Sequence, residues 1–142
     1  MTGSNRSGDL KEPSKSIPKG TIAAQNGDLY FRDKGMTLKI LKQHVKPLEK
    51  HVNHEIVFGI RPEDIYDKLF AQDASEEFTI VATVDLVEPM GSEINIYFTV
   101  GRNSFIARVS NQDTASANQD VQVVFDMSKA HFFDPRSEKA LI

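Results

Sequence analysis

Apolar and polar residues alternate in short runs along most of the chain after residue 20. A period of two residues turns every second side chain of a β-strand towards a core. The pattern predicts about eight short strands. The candidate runs are nine: residues 21–24, 29–32, 36–40, 55–60, 78–87, 93–100, 104–109, 121–125 and 128–133. Short strands about 8–12 residues apart are typical of an all-β sandwich or barrel.

The expected core and one expected turn follow from the same runs. Asn26 and Gly27 are the preferred pair for a two-residue hairpin turn, because both central residues of that turn need positive φ. The inward residues of the three longest runs are predicted to form the core: Phe78, Ile80, Ala82, Val84, Leu86, Ile94, Ile96, Phe98, Val100, Phe105, Ala107 and Val109.

Residues 38–52 depart from this alternation. Apolar residues recur there at spacings of three and four, the period of a helix, at Leu38, Leu41, Val45, Leu48 and Val52. Pro47 lies inside the pattern, and in a helix its ring would clash with the carbonyl group four residues earlier. We therefore predict one short helix starting near Pro47, or two kinked turns, rather than one long helix.

The first 20 residues form a polar stretch that is expected to stay outside the folded domain. Leu10 and Ile17 are its only large apolar residues after Met1, which is too little apolar surface to offset the entropy of ordering. We interpret residues 1–20 as a flexible linker or added tail, ordered at most where Ile17 docks. The domain is predicted to span residues 21–142.

Composition excludes several classes of protein. The chain has 142 residues, of which 39% are hydrophobic and 26% charged, so one core can form in a soluble protein. Because it contains no cysteine, a disulfide framework, a thiol nucleophile and cysteine-ligated zinc or iron–sulfur sites are excluded. A net charge of −3 argues against binding nucleic acid mainly through overall charge. Neither a membrane-spanning run nor a signal-peptide core is present, which favours a cytoplasmic location.

The sequence contains no motif for a common catalytic site. No glycine precedes a lysine, which excludes the phosphate loop G-x-x-x-x-G-K-[ST], and G-x-G-x-x-G and G-x-S-x-G are also missing. His44, His51 and His54 cluster, but a zinc site would need further ligands placed by the fold. We interpret the three as an exposed polar helix face, and His131 as a packing or hydrogen-bonding residue. No catalytic, metal-binding or cofactor-binding residue is therefore predicted.

Charge is unevenly distributed along the chain. Carboxylates concentrate in residues 61–88, whereas residues 34–54 contain five lysines and only one carboxylate, Glu49. Such a polarised surface can steer a partner towards a protein. Solvated loops and a solvated helix face explain the same residues more simply, and we favour that interpretation.

Four stretches resemble one known family. Gly59-Ile60-Arg61-Pro62-Glu63-Asp64-Ile65 resembles the GIRPE signature of the C-terminal regulatory domain in sugar-importing ABC ATPases of the MalK type. This domain is also called TOBE, for transport-associated OB. Residues 84–93 resemble the family's V-x-x-V-E-x-x-G-x-E strand and turn, residues 105–109 its L-x-A-R-V strand, and residues 131–141 its closing H-x-F-D-P-x-T-G-x-A-L stretch. Ser137 and Glu138 stand where the family favours Thr-Gly.

The resemblance implies an OB-like β-barrel that helps to hold an importer ATPase together as a homodimer. It further implies transmembrane permease subunits as partners of the full-length ATPase and, in some members, a cytosolic regulatory protein. Such a domain would lie at the inner face of the cell membrane through the transporter complex. ATP and Mg are expected only in the nucleotide-binding domain that precedes this segment in the family, and no nucleic acid partner is expected.

The resemblance transfers four signature positions, Gly59, Arg61, Pro62 and Glu63. Gly59 permits close approach of the backbone, and Pro62 fixes a turn. Arg61 and Glu63 are able either to lock neighbouring strands or to face a partner subunit. We favour the structural role, because a motif at the end of a strand often builds the corner.

Two other functions remain open at this point. A free-standing OB-type module would bind oligonucleotides or small anions on one face of the barrel. The aromatic and basic residues available for that role are Tyr30, Phe31, Tyr97, Arg32, Arg102 and Arg108. A small enzyme is the least favoured function, because the catalytic motifs are missing.

Overall fold

The computed structural model describes residues 17–142, and within that range it contains ten β-strands and one α-helix. The predicted tail up to residue 16 lies outside the described residues, while Lys19 and Gly20 already belong to the first strand. The elements are β1 (Lys19–Gln25), β2 (Asp28–Asp33), β3 (Met36–Lys39), α1 (Lys42–Leu48), β4 (Glu55–Gly59), β5 (Ile65–Asp67), β6 (Thr79–Met90), β7 (Glu93–Val100), β8 (Asn103–Ser110), β9 (Asp120–Phe125) and β10 (His131–Phe133).

The strands form two five-stranded antiparallel sheets. The first sheet has the order β10-β4-β1-β2-β3, and the second has the order β5-β9-β6-β7-β8. Together they form a nearly closed barrel around a single core. The prediction of an all-β barrel with a short helix is confirmed.

Phenylalanine rings fill the centre of the barrel. Phe58 on β4 is 1% exposed and lies at the middle of the cluster. Its ring centroid is 4.8 Å from that of Phe31 and 5.4 Å from that of Phe132, both in its own sheet. It is also 6.1 Å from the rings of Phe105 and Phe125 in the other sheet. The ring of Phe58 therefore contacts both halves of the core.

The predicted hairpin turn between β1 and β2 is confirmed. Asn26 has φ of 53° and Gly27 has φ of 85°, which are the left-handed conformations that the pair Asn-Gly favours. The strands pair directly across the turn, with Gln25 opposite Asp28.

Leu86 does not face the core as its position in the alternation predicts. The pairing of β6 with β7 shifts between Val84 and Leu86, so Asp85 is an extra residue in a β-bulge. A one-residue insertion reverses the faces of every residue that follows it. Leu86 is 52% exposed, and Val87 packs against the core instead.

The helix begins earlier than the position of Pro47 predicts. It spans Lys42–Leu48, so Pro47 is its penultimate residue, and a start near Pro47 is wrong. Two successive turns, the alternative prediction, are closer to the structure, because a 3₁₀ turn (Glu49–His51) follows α1 directly. Pro47 has no N–H to donate to the carbonyl of Gln43, four residues earlier, and the α-helix ends one residue after it. No helix within residues 17–142 is long and apolar enough to span a membrane.

Two further elements differ from the prediction. Strand β5 has only three residues and lies in a region expected to be a turn and loop. A run of three residues is too short to give a recognisable period. The last predicted strand is divided into a 3₁₀ turn (Met127–Lys129) and β10.

A buried asparagine joins the two sheets at one end. Asn103, the first residue of β8, is 3% exposed. Its Oδ1 accepts a hydrogen bond of 3.2 Å from the N–H of Lys19, and its Nδ2 donates to the carbonyl of Lys19 at 3.0 Å. Nδ2 also donates to Asp33 Oδ2 at 3.1 Å, and Asp33 forms an ion pair with Arg102. One side chain thus binds the start of β1 and the end of β2 to the second sheet.

Gly101 precedes this joint and brings two turns into contact. Its φ is 59°, and a Cβ atom at this position would overlap the carbonyl group of Lys34 in the turn between β2 and β3. Gly27 also has positive φ, but a Cβ there would meet no atom within 4 Å.

We expect Gly101→Ala to lower the free energy of unfolding by about 3 kcal/mol or more, because the two turns must separate. Gly27→Ala is the matched control and should cost about 1 kcal/mol, from backbone strain alone. Urea denaturation of both variants measures the difference. Equal losses would show that the contact with Lys34 does not constrain the two turns.

Candidate functional site

The four signature positions lie in one corner between β4 and β5. Gly59 ends β4 and pairs with His131 of β10. A Cβ atom at Gly59 would come within 3.2 Å of the ring of Phe133. A small residue therefore allows β10 and its aromatic side chain to lie close to the strand, and the signature role of Gly59 stays a prediction.

Backbone hydrogen bonds hold the rest of the corner. Arg61 is extended, with φ −79° and ψ 149°, as expected for a residue before proline, and Pro62 opens the 3₁₀ turn Pro62–Asp64. The N–H of Asp64 donates to the carbonyl of Arg61 at 2.9 Å, and the N–H of Asp126 donates to the carbonyl of Asp64 at 2.9 Å. Since the buried residues Phe58 and Ile65 flank it, the corner is fixed at both ends.

The charged residues of the corner face solvent. The side chains of Arg61 and Glu63 are exposed. Neither forms an ion pair or a side-chain hydrogen bond with any residue between 17 and 142. Arg61 and Glu63 therefore do not lock neighbouring strands within residues 17–142. That they face a partner subunit instead is a prediction.

A shallow groove of about 230 Å³ lies beside the charged corner. Gly59, Ile60 and Pro62 form one wall, and Ser104 and Ile106 of the outer strand β8 lie in the other. Apolar side chains next to an exposed arginine and glutamate are typical of the mixed composition of a protein interface.

The clustered histidines differ from one another in environment. His44, on α1, is half-buried, and burial followed by the nearby charge of His131 lowers the pKa of its imidazole. His51 ends the 3₁₀ turn, and His54 lies beyond it. The prediction that the two histidines share a helix face is therefore wrong. Within residues 17–142, no three histidine, aspartate or glutamate side chains gather at metal-binding distance.

His131 has the role predicted for it. Its ring centroid lies 6.5 Å from that of Phe133, and its Nδ1 is 3.3 Å from the carbonyl oxygen of Ile142. It therefore packs and hydrogen-bonds at the end of the domain, as expected.

Within residues 17–142, the candidate residues for oligonucleotide binding are buried or already have partners, and Arg32 lies over the ring of Tyr30. Phe31 is fully buried in the core, and Tyr97 donates a hydrogen bond to Glu88 at 3.0 Å. Arg102 pairs with Asp33, and Arg108 donates to Asn95. Single-strand binding needs exposed rings beside a basic groove, so this arrangement does not favour it.

Two buried carboxyl groups meet where β5 contacts the loop between β8 and β9. Asp67 is 4% exposed and Asp113 is 7% exposed. Asp67 Oδ1 accepts from the N–H of Leu69 at 2.9 Å, and Asp113 Oδ1 accepts from the N–H of Ala115 at 2.8 Å. With both groups ionised, Asp113 Oδ2 has no partner among the described residues. A proton placed between the carboxyls supplies the missing hydrogen bond.

The environment of Asp113 changes the ionisation of its carboxyl group. Burial, and then the hydrogen bond to Asp67, raises the pKa of Asp113 to about 6. Sequence reasoning misses the pair, because Asp67 lies in the acidic stretch that we interpret as solvated loops and Asp113 lies between the predicted strands 104–109 and 121–125. One signal was available, since Asp67 follows the buried Ile65 at a spacing of two and so points to the same face.

Comparison with known proteins identifies this fold as an OB-type domain. The family model described as the MalK OB fold domain matches residues 17–65. The model described as the TOBE domain matches residues 58–133, which is more than half of the chain. The chain belongs to the TOBE domain family, as the signature in residues 59–65 indicated.

The similar curated proteins include sugar-import ATP-binding proteins. The oligosaccharides import ATP-binding protein MsmX of Bacillus subtilis is 32% identical over 131 residues, which are 92% of this chain and 35% of that protein. The trehalose/maltose import ATP-binding protein MalK of Thermococcus litoralis is 38% identical over 123 residues, which are 84% of this chain and 32% of that protein. The chain thus spans about a third of the length of these relatives.

A solved structure supports the fold. The cytoplasmic molybdate-binding protein ModG, with molybdate bound, aligns with a TM-score of 0.68 over 89% of this chain and 100% of that chain. At 14% identity the likeness shows a common architecture only.

We expect Asp113→Asn to stabilise the domain at high pH. The pKa of Asp113 is raised above its ordinary value of 3.8, so the folded state holds the proton more tightly than the unfolded state does. The stabilisation from this proton is full below about pH 4 and is lost as pH rises through about 6. An asparagine donates the same hydrogen bond at every pH and should raise the free energy of unfolding by about 1–2 kcal/mol at pH 8.

Urea denaturation at pH 5 and pH 8 measures this effect. The variant should lose less stability between the two pH values than the parent chain does. Asp73→Asn, in the exposed loop before β6, is the control and should keep the parent pH dependence. The same dependence in Asp113→Asn would contradict a proton shared by the two carboxyls.

Proposed function

We propose that this chain is the non-catalytic regulatory and dimerisation domain at the C-terminus of the ATP-binding subunit of an ABC sugar importer. The observation that carries this proposal is the match to sugar-import ATP-binding proteins over 84–92% of the chain but only about a third of their length. ATP hydrolysis, its Mg ion and contact with the transmembrane permease subunits then belong to other parts of the subunit. The domain would lie at the inner face of the membrane through that complex and, in addition, offer a surface to a cytosolic regulator.

The charged corner supports the dimerisation part of this proposal. A twofold interface places the same patch of both subunits face to face. Arg61 and Glu63 carry opposite charges two residues apart on a fixed backbone. Arg61 of one copy is therefore able to pair with Glu63 of a second copy, and Glu63 of the first with Arg61 of the second. The adjoining groove adds apolar area to the same patch.

A charge-swap series tests this interface in the 142-residue chain. Arg61→Glu should weaken self-association about tenfold or more. The reason is that position 61 of each subunit then carries the same charge as Glu63 of the other subunit. The double variant Arg61→Glu/Glu63→Arg restores opposite charges and should regain most of the affinity. Sedimentation equilibrium at several protein concentrations measures both dissociation constants.

Glu93→Lys is the control, since Glu93 is exposed and pairs with Ser110, at the other end of β8 from Ser104 and Ile106 of the groove. It should associate like the parent chain. A parent chain that stays monomeric at high concentration, or a double variant as weak as the single one, would refute dimerisation through the corner.

The importer part of the proposal is tested in native cells. An antibody raised against residues 21–142 should detect a band much larger than this chain, enriched with membranes. A soluble band of the chain's own size would contradict the assignment to a transporter subunit.

A further inference from the structure

A second cleft, distinct from the charged corner, lies beside the start of β1. It has a volume of about 630 Å³. Its lining contains five basic side chains, Lys19, Lys50, His51, His54 and Arg136, together with Pro135. Two carboxylates, Glu55 and Asp134, also line it. Basic groups from three separate segments of the chain, around residues 19, 50–54 and 136, therefore converge on one concave surface.

Within residues 17–142, the basic side chains of this cleft form no ion pair, although Asp134 lies near enough to His51 and Arg136 to feel their charges. Two lysines of the basic stretch 34–54 are paired, Lys39 with Glu77 at 3.4 Å and Lys42 with Asp28 at 3.6 Å. By contrast, none of the five basic side chains of the cleft forms an ion pair within residues 17–142. The charges of Lys19, Lys50 and Arg136 are therefore available to a ligand.

Of the two carboxylates, Asp134 is already occupied by the backbone. Its Oδ1 accepts hydrogen bonds from the N–H of Arg136 at 2.8 Å and of Ser137 at 3.2 Å. These two bonds hold the pKa of Asp134 below its usual range, and the nearby imidazole of His51 lowers it further. The carboxylate thus serves to fold the loop that carries Arg136. Glu55 is exposed and is the single other negative group of the lining.

Backbone contacts fix the opposite walls of the cleft. The N–H of Asn53 donates to the carbonyl of Ile22 at 2.6 Å, and the N–H of Ile22 donates to the carbonyl of His54 at 3.3 Å. These bonds hold the segment that contains His51 and His54 against strand β1. On the other wall, the N–H of Glu138 donates to the carbonyl of Asp134 at 2.8 Å. The basic side chains therefore project from ordered backbone on both sides.

The chemistry of the lining selects a small anion with several oxygen atoms. Lysine, arginine and histidine are the donors that bind phosphate groups, arginine through two parallel bonds. A cleft of this volume lies within the range of small-molecule sites, which is about 300–1,000 Å³. None of the lining residues is a phenylalanine, tyrosine or tryptophan, so a nucleic acid base would find no ring to stack on.

We propose that this cleft binds phosphate or a phosphomonoester of about the size of a hexose phosphate. Lys50 and Arg136, on opposite walls, hold the phosphate oxygens, and Lys19 and the two histidines complete the basic surround. The site is independent of the charged corner, so its failure would leave the proposed function untouched.

Nuclear magnetic resonance titration of the ¹⁵N-labelled 142-residue chain tests this proposal at constant ionic strength. The probes are inorganic phosphate, glucose 6-phosphate and, as the uncharged control, glucose. Both phosphate probes should shift the amide signals of residues 50–55 and 134–136, and glucose should shift none of them. Equal affinity for the two probes assigns free phosphate as the ligand class, and tighter binding of glucose 6-phosphate assigns a phosphomonoester.

The variant Lys50→Ala/Arg136→Ala should weaken phosphate binding about tenfold or more, since two charge-assisted contacts are lost. Lys129→Ala removes an exposed lysine that does not line the cleft and should bind phosphate within about twofold of the parent. Unchanged binding by the double variant, an equal loss in Lys129→Ala, or no shift around the cleft at millimolar phosphate would overturn the proposal. The unchanged dispersion of the remaining amide signals checks that each variant is folded.

Discussion

The hydrogen bonds of Asn103 set the position of one sheet against the other. A packed core is non-directional and tolerates small slides between layers, whereas three hydrogen bonds from one buried amide do not. With β8 held against Lys19 and Asp33, Phe58 meets the rings of Phe105 and Phe125 across the barrel. The same joint fixes the backbone of Lys19, whose side chain lines the basic cleft. The core and the basic cleft therefore both depend on the hydrogen bonds of Asn103.

The strands could largely be predicted from the sequence because their alternation reflects burial directly. The hairpin at Asn26 and Gly27 and the inward faces of β7 and β8 follow from residue types that act locally. The failures have a common cause, since each depends on a contact that the local sequence does not contain. The bulge at Asp85 is visible only in the pairing of β6 with β7. The three residues of β5 become a strand because β9 lies beside them.

The surface features differ in how far the sequence could predict them. The charged corner lies within seven consecutive residues, so a short motif was enough to find it. The carboxyl pair joins Asp67 to Asp113, and the cleft joins Lys19 to Arg136, so both arise only when distant segments meet. In each case the separate residues look like ordinary solvated charges. The pair is distinguished by its burial, and the basic side chains of the cleft by forming no ion pair within residues 17–142. Neither property can be seen in the sequence.

The central position of β1 gives the domain a particular mechanical character. The chain enters its sheet between β4 and β2, not at an edge. A pull on the segment before Lys19 would load both neighbouring ladders and the Asn103 joint in shear, where many bonds must break together. An edge strand would instead peel away one bond at a time. Because β1 is held on both sides, a displacement of the chain ahead of it would move the barrel as a rigid body. It would not bend the chain at β1.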